Sequence, residues 1–184
     1  MFDFKTATKE ELQQEYKKMA KEMGDIRFFT KKELYYLPEI LMDDESVIAF
    51  ISGLMNRNTW LIVLTDRRII FLNKGMFYGL KQSIIDLDKV NAVSATTGLI
   101  FGKIIVTDGA TDRVISRVWK KAVKNFTNKI QEALEIRKLT RTGQILDSHH
   151  GPYEQLEKIA ELKERGLLTE EEFQIEKKRI LGYE

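Results

Sequence analysis

Residues Thr59 to Leu87 read TWLIVLTDRRIIFLNKGMFYGLKQSIIDL. Trp60–Leu64 and Ile69–Leu72 are short apolar runs rich in β-branched and aromatic residues. Each is of strand length and is bounded by turn formers, which favours strand over buried helix. Thr65-Asp66 separates them, and an Asp side chain can bond to nearby backbone in a turn. Arg67 and Arg68 open the second strand. Gly75 and Gly79 can take the positive φ that a hairpin loop needs, and strand signal resumes at Ser83-Ile84-Ile85. The stretch therefore predicts three antiparallel strands joined by two tight turns.

These strands do not alternate. Ile69 and Phe71 should face one way and Ile70 and Leu72 the other, yet all four are apolar. A sheet with one wet face shows period-two alternation. Both faces must therefore be covered, one by the core and the other by the N-terminal helices or by a second subunit.

Upstream, Thr8 and Glu11 have the spacing of a capping box. Leu12, Tyr16, Met19 and Met23 follow on one helical face, with Gly24 as a stop. Thr30 and Glu33 repeat the capping signal; the short helix after them should end before Pro38, with Glu39-Ile40-Leu41 open to one more turn. The acidic break Asp43-Asp44-Glu45 comes next. Strand patterns run from Val47 to Ser52, through the three-strand stretch, and on through Val90–Ala95, Lys103–Thr107 and Arg113–Ser116, about seven in all. Asp108-Gly109 is a further turn signal. This predicts an antiparallel barrel or sandwich rather than a parallel nucleotide-binding sheet. From Val118 the pattern becomes helical: Trp119, Val123, Phe126, Ile130 and Leu134 form one stripe that should lie over the barrel mouth. Lys120, Lys121, Lys124 and Lys129 lie mostly off that stripe.

Seven strands followed by one amphipathic helix resemble the pleckstrin-homology (PH) architecture. The run TWLIVLTDRRIIFLNKGMFYGLKQSIIDLDKV, followed by TTGLIFGKIIV, is similar to bacterial PH domains of the YokE-like family. The resemblance spans about Glu45 to Leu134 and rests most on the pair Gly75-Met76-Phe77-Tyr78-Gly79 and Gly98-Leu99-Ile100-Phe101-Gly102. It implies a fold and no catalytic activity. Phosphoinositide-binding PH domains carry several basic residues around the loop joining the first two strands. Here the corresponding loop, Gly53–Asn58, offers only Arg57 and departs from that pattern.

Thr140 to Pro152 read as a linker, polar and holding Gly143 and Gly151. The tail YEQLEKIAELKERGLLTEEEFQIEKKRIL resembles SHOCT, a short C-terminal domain linked to oligomerisation, with its leucine-rich helix, Gly-Leu-Leu-Thr turn and Glu-Glu-Phe. Leu156, Ile159 and Leu162 make one stripe. Gly166 supplies a cap, and Thr169 with Glu172 gives a third capping box. Phe173, Ile180 and Leu181 continue on a second helix. Two helices of about three turns cannot bury enough apolar surface to stand alone. With Leu167 and Leu168 they must pack on the barrel or on copies of themselves. The expected layout is a helical segment 1–44, a PH-like domain 45–137, a linker 138–151 and a helical hairpin 152–184.

The 184 residues carry a net charge of +2, with 32% charged and 43% hydrophobic residues. No whole-molecule field points to nucleic acid. There is no cysteine, hence no thiolate chemistry. The start, Met1-Phe2-Asp3-Phe4-Lys5, lacks the pattern of a signal peptide, and no apolar run approaches the ~20 residues of a bilayer span. The expected location is cytoplasmic, with peripheral contact at the inner membrane face left open. The histidines are His149 and His150 alone, adjacent and in a linker. Neither a metal site nor a catalytic triad can be assembled from them, so no enzyme activity, metal or cofactor is expected.

Candidate contact residues sit at predicted loop tips: Leu54, Met55 and Arg57; Met76, Phe77 and Tyr78; Leu99, Ile100 and Phe101. Apolar tips mark contact surfaces when exposed, and they plug the barrel end when they fold inward. Counting alternate hairpins places all three loops at one end, unless the corner between the sheets reverses the third. In PH relatives that end is where ligands usually bind, together with the loop at Gly109-Ala110. The partner could be a protein, another subunit or a lipid surface.

Overall fold

The computed structural model describes residues 2–25, 30–74, 79–109 and 111–141, together with 160, 163, 170, 173–174 and 177–178. The chain divides into two compact units, Met1–Arg137 and Lys138–Glu184.

In the first unit, α1 (Lys9–Met23) and α2 (Lys31–Ile40) precede seven strands: β1 (Val47–Met55), β2 (Asn58–Thr65), β3 (Arg68–Lys74), β4 (Leu80–Asp86), β5 (Val90–Thr97), β6 (Phe101–Asp108) and β7 (Thr111–Trp119). A single 3-10 turn, Leu87–Lys89, joins β4 to β5, and α3 (Lys120–Arg141) follows β7. The strand order is β4-β3-β2-β1-β7-β6-β5, antiparallel throughout. β1 and β7 share one register pair, Leu54 with Ser116. There the sheet bends into two halves, and the Ser116 hydroxyl donates to the Leu54 carbonyl at 3.1 Å. Gly53 permits the crossing, because a Cβ on it would lie 2.4 Å from Ile115 Cγ2.

The non-alternating strands have both faces covered. Ile62, Leu64, Ile69 and Phe71 join Ile104, Val106 and Ile115 in the core between the sheet halves. Val123, Phe126 and Ile130 of α3 close that core. The opposite face, Phe50, Leu61, Val63, Ile70 and Leu72, packs on Leu12, Tyr16 and Met19 of α1 and on Leu34 and Leu37 of α2. Thus the chain's own N-terminal helices cover the second face.

The Thr8 capping box is present: the Thr8 hydroxyl accepts from the Glu11 amide, and the Glu11 carboxylate accepts from the Thr8 amide. Gly24 ends α1 in the left-handed region at φ 78°. Three expectations need correction. Thr30 does not cap α2 with its side chain. Its hydroxyl lies 2.9 Å from that of Ser52, and Glu33 accepts from the Lys74 amide at 2.8 Å; the sheet has taken both capping groups. Pro38 lies inside α2 rather than beyond it. Trp119 is the last residue of β7, paired with Phe101, and not the first of the helical stripe.

The β2–β3 turn is tied to the acidic break. Arg68 sends Nε to Glu45 Oε1 and Nη2 to Glu45 Oε2, both at 2.7 Å. Both side chains are buried. The Met42 amide, 2.8 Å away, and the Thr65 hydroxyl, also 2.8 Å away, complete the shell of the carboxylate.

In the second unit the described residues are helical. Lys163 pairs with Glu170 at 2.6 Å and lies 4.7 Å from the centre of the half-buried Phe173 ring. Leu156, Ile159, Leu162, Leu167, Leu168 and Ile180, and the capping pair Thr169 and Glu172, lie outside the described residues, as do His149 and His150.

Candidate contact surface

The three expected loop tips have different fates. The β1–β2 connection is a two-residue turn, with Asn56 at φ 49° and Arg57 at φ 64°. Two left-handed residues give the hairpin turn that follows strand twist, and they let β1 run on through Met55. Met55 therefore points into the core, and its carbonyl accepts from Trp60 Nε1 at 3.1 Å. Leu54 is half-buried, and Arg57 is exposed. This connection presents no apolar tip. Met76, Phe77 and Tyr78 lie outside the described residues.

The β5–β6 tip does stand in solvent. Leu99 is 91% exposed, Ile100 54% and Phe101 42%. The turn is tight: the Gly98 amide donates to the Phe101 carbonyl at 2.8 Å, and the Lys120 amide donates to the Ile100 carbonyl at 3.0 Å. The Phe101 ring lies 4.6 Å from that of Trp119, centre to centre. Gly102 seats the strand behind the tip, since a Cβ there would fall 2.4 Å from the Thr96 carbonyl oxygen. Three bulky apolar side chains are thus held in water on a turn fixed from both sides.

Counting alternate hairpins places this tip beside the β1–β2 turn unless the corner reverses it, and the sheet takes the reversed arrangement. β1 is antiparallel to β7, and β7 to β6, so β6 runs with β1. The β5–β6 turn accordingly falls at the end of the β2–β3 turn, while the β6–β7 turn at Gly109 falls at the β1–β2 end. The corner at Leu87–Lys89 makes the reversal. Leu54 and Phe101 nonetheless line one pocket of about 370 Å³, with Asp25, Ser52, Arg117 and Trp119. Asp25 is buried there, and its Oδ2 accepts from the Ser52 amide at 2.7 Å. Burial raises its pKa above the ordinary carboxylate range, against the opposing pull of the Ser52 hydrogen bonds.

The charge around the tip is one-sided. From Val90 to Thr107, and again from Arg113 to Gln131, the chain holds no Asp or Glu. Lys103 follows the tip, and Arg117 is held left-handed at φ 53° beside Phe101 in the pocket wall. Lys120, Lys121 and Lys124 line a groove of about 440 Å³ with Thr97. They occupy the first turns of α3, where the helix dipole is positive and acidic residues are usual; α3 has none in its first turn. The alignment of this carboxylate-free run with the apolar tip was open to sequence reading. The roles of Arg117 and Asp25 were not, because they depend on how β7 crosses β1.

Among the described residues no cluster of His, Cys, Asp and Glu could hold a metal, and no helix is long and apolar enough to cross a membrane.

The profile of the bacterial PH domain family matches residues 41–132. The chain is similar to the crystal structure of a pleckstrin homology domain from Shewanella amazonensis SB2B, at 17% identity and a TM-score of 0.39 over 56% of this chain and 86% of that one. It is also similar to a DUF1696 family protein with a PH domain from Shewanella loihica PV-4, at 14% identity and a TM-score of 0.40 over 59% and 99%. No curated protein matches it. The profile spans half the chain and takes in all seven strands and most of α3, and on that ground the protein belongs to the bacterial PH domain family.

Proposed function

We propose that this protein is a non-catalytic contact module. Its PH barrel presents the β5–β6 tip to a binding surface, and its C-terminal segment assembles copies of the chain. The observation that carries the first half is the exposure of Leu99, Ile100 and Phe101 together on a turn anchored by two backbone hydrogen bonds. Most large apolar side chains of this unit are buried in one of the two cores. Leaving Leu99 in water forgoes about 1.5–3 kcal/mol and the half-exposed Ile100 and Phe101 roughly half as much each, which favours a partner that covers them. The noncatalytic reading follows the family to which the chain belongs.

The test is a photo-crosslinking amino acid placed at Leu99 in the native host, with the exposed β4 position Gln82 as control. Adducts with protein or lipid are expected at position 99 and not at 82. Equal labelling at both, or none at either, would remove the tip as the contact surface. The assembly half rests on the likeness of residues 152–182 to SHOCT and on the size of that segment, and its test is given below.

A further inference from the structure

We infer that the β5–β6 tip and the cations around it dock on an anionic lipid bilayer. This rests on the reading of the tip as the contact surface and names what covers it. Three features select a bilayer.

The first is shape. The tip is a two-residue turn, Leu99-Ile100, projecting from a hairpin closed at Gly98 and Phe101. A stable protein interface needs a broad, close-packed patch. A narrow apolar wedge needs only a fluid apolar layer to enter, as interfacial membrane segments do.

The second is charge. Lys103, Arg117, Lys120, Lys121 and Lys124 surround the wedge, and among the described residues none of them forms an ion pair. Asp25, the carboxyl among the residues that line the pocket, is buried. Lys121 is partly accounted for inside the fold, because its stem crosses Gly24 at the negative end of α1. Lys120 and Lys124 have no such explanation. Set at the positive end of α3, they repel its dipole, and an anionic surface reverses that cost.

The third is residue type. Four of the five cations are lysines, which are depleted in protein–protein interfaces, where arginine is preferred. Lysine suits a layer of phosphates met as point charges. Each one near an anionic surface raises partitioning about fivefold. The arrangement is an apolar insert surrounded by cations, with Trp119 behind Phe101 at the depth where aromatic rings favour the interface.

The experiment is flotation of the full-length chain with vesicles of phosphatidylcholine alone and of two parts phosphatidylcholine to one part phosphatidylglycerol. The chain should float with the second and not with the first, and added salt should weaken the binding. Leu99→Asp and Ile100→Asp should each lower partitioning at least about tenfold. Lys120→Gln with Lys124→Gln should lower it about twenty-five-fold. Ile84→Asp, at an exposed apolar position on β4, should leave it unchanged. Leu99 stands in solvent, so its variant retains the wild-type circular dichroism spectrum and loss of fold does not mimic loss of binding. Failure to float with anionic vesicles, or flotation of Leu99→Asp at the wild-type level, overturns the lipid assignment. If the crosslinker at position 99 then captures a protein in cells, the contact-surface reading stands and only the lipid is wrong. If it captures nothing, both fall.

Discussion

The Tyr16 hydroxyl donates a 2.6 Å hydrogen bond to the carbonyl of Leu34. That carbonyl is four residues before Pro38, so it is the acceptor that Pro38, having no N–H, leaves without its helical partner. The bond is buried and joins α1 to α2. It explains how α2 runs through a proline that the sequence marks as a stop.

Tyr16→Phe should therefore cost about 1–3 kcal/mol, the penalty for a buried carbonyl left unpaired. In a Pro38→Ala background the new amide can reach the Leu34 carbonyl, and the cost of Tyr16→Phe should fall below about 1 kcal/mol. Urea titration of the four proteins gives the coupling. Additive losses would mean that the two residues do not share the carbonyl.

The same residue sets an alkaline limit. Burial, with a smaller contribution from Tyr35, raises the Tyr16 pKa well above its ordinary value near 10. A raised folded-state pKa means that the native protein holds the proton where the unfolded chain releases it. Stability is thus full below about pH 10 and declines as pH rises above it. Tyr16→Phe should flatten that alkaline decline. An unchanged slope in denaturation runs between neutral and alkaline pH would argue against the assignment.

The Glu45–Arg68 pair makes the opposite prediction in acid. Burial pushes the Glu45 pKa up, but the bonds from Arg68, the Met42 amide and Thr65 outweigh it, and the net shift is downward. A depressed carboxylate contributes stability that is present above about pH 4.5 and lost as pH falls through the folded value. Glu45→Ala leaves the Arg68 guanidinium buried without its partner and should cost about 3–5 kcal/mol. Its stability should then lose part of the acid dependence seen in the wild type. A loss under about 1 kcal/mol would show that water replaces the carboxylate at no great penalty.

Much of this fold was legible in residues 59–87, because three short apolar runs with turn formers between them, repeated in kind to about seven along the chain, leave few alternatives to an antiparallel sheet. The failure of Ile69–Leu72 to alternate also reported correctly on a second covered face. What escaped reading shares one cause, contact across long sequence separation. Thr30 and Glu33 look like a helix cap, but Ser52 and the Lys74 amide compete for them. Trp119 fits a helical stripe, but register with Phe101 keeps it in β7. Leu54 and Met55 look like a loop tip until Asn56 and Arg57 prove able to close the turn alone. The apolar tip at Leu99–Phe101 was legible in composition. Its end of the barrel was not, because the three-residue corner passes from β4 into β5 without the change of direction that a hairpin makes.

Gly102 links the tip to the sheet. Gly102→Ala would place a methyl group 2.4 Å from the Thr96 carbonyl oxygen and 3.0 Å from Val123 Cγ2. The oxygen belongs to the backbone of the paired strand and cannot swing aside. The hairpin must open, at a cost of about 1–3 kcal/mol. The Gly98 amide, which closes the turn on the Phe101 carbonyl, should then exchange with deuterium faster than in the wild type, while amides of the β2–β3 ladder keep their protection. Uniformly faster exchange would indicate global destabilisation and would separate the tip's rigidity from Gly102.

The assembly half of the proposed function depends on residues 152–184. A segment of some thirty residues buries too little apolar surface to be stable without a partner. Leu156, Ile159, Leu162, Leu167, Leu168, Phe173 and Ile180 supply the apolar side chains for one. If that partner is a second copy of the chain, the intact protein scatters light as a multiple of its monomer mass. A truncation after Leu139 leaves the PH barrel and most of α3 in place and should scatter as a monomer. Phe173→Asp in the full chain should shift the equilibrium the same way without disturbing the barrel. Assembly also bears on membrane docking, because several weak tips held together bind with far greater avidity than one. The truncated chain should consequently need a higher lipid concentration than the intact one for half-maximal flotation. Equal monomeric masses for the intact and truncated proteins would rule out self-association, and the segment would then have to serve another partner.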